Sequence, residues 1–201
     1  MIRERSLLDQ QEEFINKLHR KTIEDPLTGL YNSRHLFRQL DKELKRADRY
    51  FFPVSLMFID VDNFKSINDT YGHMIGDKML SLLGNRIKSC LRNSDSAYRF
   101  AGDEFTILLP ETHLDKAKIV ADRILAKFDS DSFKVNENGI TKFTLSIGIT
   151  EYQRKESIEQ LLHRADRIMY EAKKCEGNSI VHSPNLEKMA VSNLSQFSWS
   201  C

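Results

Sequence analysis

The apolar positions along the chain repeat with two periods, one typical of helices and the other of strands. Residues 54–60 are apolar on both faces of an extended chain, which predicts a strand in the middle of a sheet that is covered on both sides. Leu36, Leu40 and Leu44 fall on one face of a helix that we expect Ser33 to cap. Further strands are predicted at 96–100, 105–109, 142–150 and 178–182, and further helices at 63–70, 78–91, 114–128 and 158–174.

The order of these elements predicts an α+β fold in which a five-stranded mixed sheet is flanked by helices. Gly102 and Asp103 separate two of the strands, which is typical of a tight hairpin and requires antiparallel pairing there. We expect a helical segment at 1–24, a globular domain at 25–182 and a flexible tail at 183–201. Leu8 and Ile15 begin a weak seven-residue repeat, so the first segment is either an ordinary amphipathic helix or the end of a dimerising stalk.

Composition narrows the classes of function. The chain has 201 residues and a formal net charge of +1, which argues against a nucleic-acid-binding protein because such proteins carry a large basic surplus. No apolar stretch approaches the roughly 18 residues that cross a bilayer, and residues 1–5 begin no apolar signal sequence. We therefore expect a cytoplasmic protein with no membrane segment.

Acidic residues mark two places where chemistry is expected. Asp60 ends the strand that is apolar on both faces, and a buried carboxylate there needs a compensating charge, for which a divalent cation is suited. Asp62 is expected to cap the next helix. Asp103 and Glu104 lie at the predicted hairpin tip, and if the hairpin flanks the Asp60 strand, the carboxylates form a site for metal-bound phosphate. No Gly-x-x-x-x-Gly-Lys-Ser/Thr motif is present, which argues against a P-loop enzyme.

The segments around these acids resemble the GGDEF domains of diguanylate cyclases. Residues 101–105 read Ala-Gly-Asp-Glu-Phe, which differs from the family signature only by Ala101 in place of the first glycine. The resemblance continues in family order and spacing from about Asp25 to Val181. It rests on the segments 25–32, 60–77, 99–105, 146–148 and 165–173.

The resemblance implies a cyclase-like palm domain that condenses two GTP molecules into cyclic di-GMP and two pyrophosphates. Two domains would face each other as a homodimer, and each 3′-hydroxyl would attack the α-phosphate of the opposite nucleotide. Asp60, the carbonyl of Val61, Asp103 and Glu104 would hold Mg²⁺, with Mn²⁺ as an alternative. Asp103 would also accept the proton of the 3′-hydroxyl.

The resemblance assigns further residues to the nucleotide. Lys65 and Lys173 would contact phosphates, and Asn68 and Asp77 would read the guanine edge. An aspartate can accept from the ring N–H and amino group of guanine, whereas adenine offers neither donor there, and this favours GTP over ATP. The remaining residues implied to line the nucleotide are Asn63, Phe64, His73 and Gly102.

A separate inhibitory site for the product is also implied. Arg92 and Asp95 occur at the spacing of the family's R-x-x-D site, and Arg123 is a further candidate contact. Two departures favour an alternative function, a catalytically weak or inactive module that binds GTP or cyclic di-GMP as a sensor. These are Ala101 and Gly177, because the family often has glycine and arginine at these positions.

Overall fold

A six-stranded sheet organises the molecule. The computed structural model describes residues 22–129, 133–136, 139–141, 143–175 and 177–183. The predicted helix at 1–24 and the predicted tail at 183–201 therefore lie almost wholly outside the described residues. The GGDEF-like region lies almost entirely inside them.

The strands are β1 (Tyr31–Asn32), β2 (Val54–Val61), β3 (Ser96–Ala101), β4 (Glu104–Pro110), β5 (Phe133–Asn136), β6 (Gly139–Thr141), β7 (Leu145–Glu151) and β8 (Ser179–Ser183). The main sheet has the order β1-β3-β4-β2-β7-β8, and β5 pairs with β6 in a separate ribbon. β2 is antiparallel to both β4 and β7, whereas β1 and β8 pair in parallel with their neighbours. The sheet is thus mixed, as predicted.

Helices cover both faces of the sheet. They are α1 (Ser33–Tyr50), α2 (Phe64–Tyr71), α3 (His73–Cys90), α4 (Leu114–Asp129) and α5 (Ile158–Ala172). Met57 and Ile59 of β2 pack in one apolar cluster with α3 and α4, and Leu56 and Phe58 pack in a second cluster with α1 and α5. Every residue of β2 is buried. The prediction of a central strand that is apolar on both faces is confirmed.

The structure differs from the prediction in four respects. The sheet has six strands rather than five because the two-residue strand β1 pairs with β3. The β5–β6 ribbon was not predicted. Asn32, not Ser33, caps α1, since the Asn32 side chain accepts a hydrogen bond from the backbone N–H of His35. Helix α3 begins at His73, five residues before the predicted start, and so includes Gly76.

Helix α5 lies against β7 at very short range. A methyl group added to Gly148 of β7 would stand 2.2 Å from the backbone nitrogen of Met169 and 2.8 Å from the carbonyl oxygen of Ala165. Only glycine permits this approach, which places the C-terminal end of α5 beside the end of β2. Within the described part of the chain, no helix combines the length and the apolar character needed to span a membrane.

Candidate functional site

Two carboxylates face each other at the end of the central strand. The antiparallel register of β2 and β4 places Asp60 directly opposite Glu104, and neighbours of this kind have Cβ atoms about 5 Å apart on the same face. Asp60 is 4% exposed. Burial raises the pKa of Asp60, and the negative charges of Asp103 and Asp62 raise it further. Burial, Asp60 and Asp103 together raise the pKa of Glu104 in the same way. Asp60 and Glu104, which we call the acidic pair, therefore favour the binding of a cation between their carboxylates.

Lys173 supplies the positive charge that contacts the acidic pair. It is the C-cap residue of α5, and its Nζ lies 2.8 Å from Oδ1 of Asp60. Burial opposes the charge of this ammonium group, but the hydrogen bond to Asp60 and the nearby charges of Asp60, Asp103 and Asp62 outweigh it and raise the pKa of Lys173. The resemblance implied that Lys173 contacts phosphates. In this structure it is the counterion of Asp60.

The hairpin tip carries Asp103 to the same end of the sheet. Gly102 has a φ of +41°, the left-handed region that glycine adopts without strain. Ala101 precedes it as the last residue of β3, so the extra methyl group does not occupy the left-handed position. The Nε of Arg99 donates to the carbonyl of Gly102 at 2.8 Å, and its guanidinium forms an ion pair with Asp25 at 3.2 Å. The Arg99–Asp25 link fixes the tip to the turn that precedes β1, and it was not predicted from the sequence.

Asp62 has a different role from the predicted one. The N-cap residue of α2 is Asn63, which has no side-chain capping bond. Asp62 instead accepts hydrogen bonds from the hydroxyls of Thr144, at 2.5 Å, and Ser146, at 2.7 Å. The prediction of a helix cap is wrong, because Asp62 ties the end of β2 to β7. These hydroxyls lie more than 80 residues away along the chain, where no local pattern could reveal them.

The carboxylates are not grouped as a closed metal-ligand set. Among the described residues, no three His, Cys, Asp or Glu side chains are grouped closely enough to hold a metal ion. The donor set still fits a hard divalent cation, since Asp60, Asp103 and Glu104 offer carboxylate oxygens and Mg²⁺ is commonly held by one or two carboxylates with substrate phosphates. Burial and the neighbouring carboxylates raise the pKa values of Asp60 and Glu104, so a cation would favour their charged forms. Val61, whose carbonyl is the further implied ligand, ends β2 beside them.

A pocket of about 340 Å³ opens beside Lys173. It is lined by Asp62, Asn63, Thr144, Lys173, Cys175 and Gly177. Lys65 follows the lining residue Asn63 by two positions and is exposed in the first turn of α2. The pocket thus combines Lys173 with the exposed start of a helix, which suits the phosphate groups of a nucleotide. Of the residues implied to contact phosphates, Lys173 lines this pocket.

A second polar feature lies between α2 and α3. The side-chain oxygen of Asn68 is buried and has no hydrogen-bond partner within the described residues. A methyl group added to Gly76 would lie 2.0 Å from that oxygen and 3.0 Å from Cζ of Phe64, so the absence of a side chain at Gly76 makes room for both. Asp77 follows Gly76 and is exposed. A buried acceptor without a partner is costly, which favours a ligand that donates a hydrogen bond to Asn68.

Gly76 had no role in the site predicted from the sequence. His73 begins α3 directly after Gly72, one turn before Asp77, and is exposed. Asn68 and Phe64 thus both lie against Gly76, and His73 and Asp77 flank Gly76 on α3.

The predicted inhibitory residues form a third cluster. The Nε of Arg92 lies 2.8 Å from Oδ1 of Asp95, and the same guanidinium donates to the carbonyl of Pro110 and to the hydroxyl of Thr112. Arg92 and Asp95 line a pocket of about 290 Å³. Arg123 donates to the carbonyl of Cys90, two residues before Arg92. The structure therefore brings these residues to one region, with Arg92 and Asp95 paired to each other.

Comparison with known proteins identifies the family. The family described as "Diguanylate cyclase, GGDEF domain" matches residues 22–179, which is most of the chain. The chain belongs to the GGDEF family. This agrees with the signature at the hairpin tip and with the mixed sheet on which that hairpin lies.

Similar proteins share both sequence and fold. Diguanylate cyclase DgcM of Escherichia coli is 36% identical over 170 residues, which cover 83% of this chain and 40% of DgcM. Diguanylate cyclase SiaD of Pseudomonas aeruginosa, solved with its activator SiaC, has a TM-score of 0.80 at 33% identity and is matched over 90% of this chain and 70% of the SiaD chain. The GGDEF domain of DgcB from Caulobacter crescentus, solved with c-di-GMP, has a TM-score of 0.77 at 26% identity, over 80% of this chain and 95% of that one. The chain thus spans less than half the length of DgcM.

Proposed function

We propose that the chain is a diguanylate cyclase that condenses two GTP molecules into cyclic di-GMP and two pyrophosphates. The observation that carries the proposal is the acidic pair, Asp60 opposite Glu104, next to a hairpin tip that presents Asp103. Family membership and the diguanylate cyclase names of similar proteins support the same activity. A cytoplasmic location, where GTP is available, belongs to this proposal.

The metal ion belongs to the proposal as well. Asp60, Asp103, Glu104 and the carbonyl of Val61 would hold Mg²⁺ or Mn²⁺, which would neutralise the charge that develops on the phosphates. A divalent cation would compete with Lys173 for Asp60, because both neutralise the same buried carboxylate. Release of Lys173 would free its ammonium for the phosphates in the pocket that it lines.

The chain's own residues would position the nucleotide. Guanine N–H groups would donate to the buried oxygen of Asn68, which has no partner among the described residues, and to the carboxylate of Asp77. Lys65 and Lys173 would contact the phosphates as mobile point charges. Both the acceptor on Asn68 and the exposed carboxylate of Asp77 discriminate against adenine, which lacks donors at the corresponding ring positions.

The reaction requires two copies of the chain. Each copy would present one GTP, and the 3′-hydroxyl of one nucleotide would attack the α-phosphorus of the other. A bond forms between that 3′-oxygen and the α-phosphorus, the bond to the bridging oxygen of pyrophosphate breaks, and Asp103 accepts the hydroxyl proton. Two such steps close the ring and release two pyrophosphates.

The product would also bind at Arg92 and Asp95 and inhibit the enzyme. These residues line a pocket away from the acidic pair, and a guanidinium suits bidentate contact with a phosphate or a guanine edge. Product binding would have to replace the present ion pair between Arg92 and Asp95, in which the Arg92 side chain is 56% exposed and the Asp95 side chain is buried.

A cyclase assay tests this function. Purified chain is incubated with GTP and Mg²⁺ at concentrations that permit dimers, and cyclic di-GMP is quantified. We expect product from the unchanged chain and from Asp115→Asn, an exposed acid on α4 that serves as the matched control. Asp103→Asn should retain the fold, as judged by circular dichroism, but lose at least about 100-fold in rate, since it removes a metal ligand and the proton acceptor.

The specific alternative is a sensor that binds nucleotide without turnover. This alternative is favoured by the ion pair between Lys173 and Asp60. It is also favoured because no three potential metal ligands are grouped among the described side chains. GTP or cyclic di-GMP binding by calorimetry, with no cyclic di-GMP formed by the unchanged chain, would establish the sensor and reject the enzyme. Comparable turnover by Asp103→Asn and the unchanged chain would reject the assigned chemistry.

A further inference from the structure

Three loops meet at the end of the sheet opposite the acidic pair. Because β2 is antiparallel to β4 and β7, Val54 at its start pairs with Pro110, and Ser55 pairs with Glu151. The loop before β2, the loop after β4 and the loop after β7 therefore share one surface. We name its exposed arginines and aromatic rings the arginine–aromatic end, which comprises Arg46, Arg49, Tyr50, Phe51 and Arg154.

Left-handed backbone is concentrated in these loops. Phe51 has a φ of 62°, Glu111 of 51° and Lys155 of 66°, one residue in each loop. Side chains with a Cβ are disfavoured in this region, and the position after a helix that Phe51 occupies is usually glycine. Unfavourable backbone that persists at one surface is more typical of functional sites than of plain connections.

Aromatic side chains at this end are unusually exposed. Phe51 is 72% exposed and Tyr50 is 60% exposed, so neither ring contributes much to the core. A phenylalanine that is exposed and has a left-handed backbone conformation contributes little to the stability of the fold. Its presence is better explained by contact with something outside the described residues.

Arginine guanidinium groups lie over aromatic rings at this end. The guanidinium carbon of Arg154 lies 4.0 Å from the ring centre of Phe51, and that of Arg49 lies 5.3 Å from the ring centre of Tyr50. Arg46 stacks at 5.3 Å on Phe52. Arg154 donates from Nη2 to the backbone carbonyl of Asp48 at 3.1 Å, and Arg46 donates to the carboxylate of Glu43 at 2.7 Å. The remaining N–H groups of Arg154 and those of Arg49 match the two oxygens of a carboxylate.

We propose that the arginine–aromatic end is a docking surface for an acidic segment of a partner protein. Carboxylates of the partner would lie between Arg49 and Arg154, and an apolar side chain would cover Phe51 and Tyr50. Tyrosine and arginine are the residue types that dominate protein interfaces. The surface lies at the far end of β2 from the acidic pair, so a partner could bind it without entering the nucleotide site.

Charge within the surface favours a protein over a lipid bilayer. Asp48 lies 3.8 Å from Arg154, and Glu111 lies 3.8 Å from Arg46. These carboxylates reduce the diffuse positive surplus on which binding to an anionic membrane depends. They do not prevent a partner from pairing its own carboxylates with individual arginines.

The test uses a fluorescein-labelled peptide in which glutamates alternate with phenylalanines, and fluorescence anisotropy with the full chain. We expect saturable binding that weakens as salt rises and falls at least about tenfold in Arg154→Gln and in Phe51→Gly. Arg38→Gln is the matched control, because Arg38 is an exposed arginine near the start of the same helix. It should bind the peptide as the unchanged chain does.

Thermal stability separates an interaction role from a structural one. Glycine fits the backbone of Phe51, so Phe51→Gly should keep or raise the Tm while it weakens peptide binding. A lower Tm in Phe51→Gly would show that the ring serves the fold and would overturn the proposal. An equal loss of peptide affinity in Arg38→Gln would show unspecific charge attraction and would overturn the proposal. Tighter binding to phosphatidylglycerol vesicles than to the peptide would show a lipid-binding surface and would also overturn it.

Discussion

Gly76→Ala is the substitution that most directly tests the guanine side of the proposed site. The new methyl group would lie 2.0 Å from the side-chain oxygen of Asn68, whereas real Cβ contacts essentially never fall below 3.0 Å. That oxygen must therefore move by about 1 Å, and Phe64, whose Cζ is 3.0 Å away, must move slightly. A shift of this size breaks a hydrogen bond, since N–H···O distances span only about 2.7–3.2 Å.

The expected loss follows from that one bond. A buried hydrogen bond contributes about 0.5–1.5 kcal/mol, and a donor left unsatisfied costs about 1–3 kcal/mol. The Kd for GTP should therefore rise by about 10-fold to 100-fold, since 1.4 kcal/mol corresponds to a factor of ten. Affinity for pyrophosphate should stay unchanged, because the phosphate pocket is lined by Asn63, Lys173 and Gly177 rather than by Gly76.

Calorimetry with a non-hydrolysable GTP analogue measures binding without interference from turnover. Gly84→Ala is the control on the same helix, because its new methyl group would press on Thr28 at 2.9 Å rather than on Asn68. Both variants should lose stability, and in Gly84→Ala the methyl group also meets the backbone oxygen of Thr28 at 2.9 Å, but only Gly76→Ala should bind the analogue weakly. Unchanged affinity in Gly76→Ala, or an equal loss in Gly84→Ala, would refute the role given to Asn68.

Three further substitutions probe charge, inhibition and packing. Glu104→Gln should raise the Tm at pH 8 in the presence of a chelator, because it removes a partly buried negative charge. The gain in Tm should vanish as the pH falls through the raised pKa of Glu104, since the wild-type carboxyl is then protonated as well. A lower Tm of the variant at pH 8 would contradict this. Arg92→Ala should relieve product inhibition in cyclase assays with added cyclic di-GMP, and a wild-type inhibition curve would count against that site. Gly148→Ala should lower stability by about 3 kcal/mol, or roughly 6–12 °C in Tm, because the methyl group would meet Met169 backbone at 2.2 Å; a wild-type melting curve would show the packing is looser.

Predicting the fold from sequence succeeded where burial sets a clear period. The strand at 54–60 was identified because both of its faces are apolar, and the helices at 114–128 and 158–174 because their apolar residues recur on one face. β1 could not be found in this way, because a two-residue strand has no period. The start of α3 was predicted too late, because glycine is a poor helix former and Gly76 is held in the helix by the close packing of Asn68 and Phe64.

The acids of the site could be identified, but their partners could not. A carboxylate at the end of a buried strand is anomalous in sequence alone, and so Asp60 was singled out. The pairing of Asp60 with Glu104 depends on the register between β2 and β4, which only the folded sheet defines. The same holds for Asp62, whose hydroxyl partners at the start of β7 and just before it come from far along the chain.

The charges around Asp60 explain why one lysine reaches into an acidic site. Opposed carboxylates in neighbouring strands repel each other, and burial of Asp60 adds to that cost. Lys173 offsets part of this cost, and the close packing of α5 on Gly148 fixes the helix end from which its side chain extends. Burial and the charges of Asp60 and Asp103 raise the pKa of Glu104, and the charge of Lys173 offsets only part of this. A divalent cation would therefore gain more from this cluster than Lys173 does, so the contact that stabilises the metal-free fold is also one that a metal can displace.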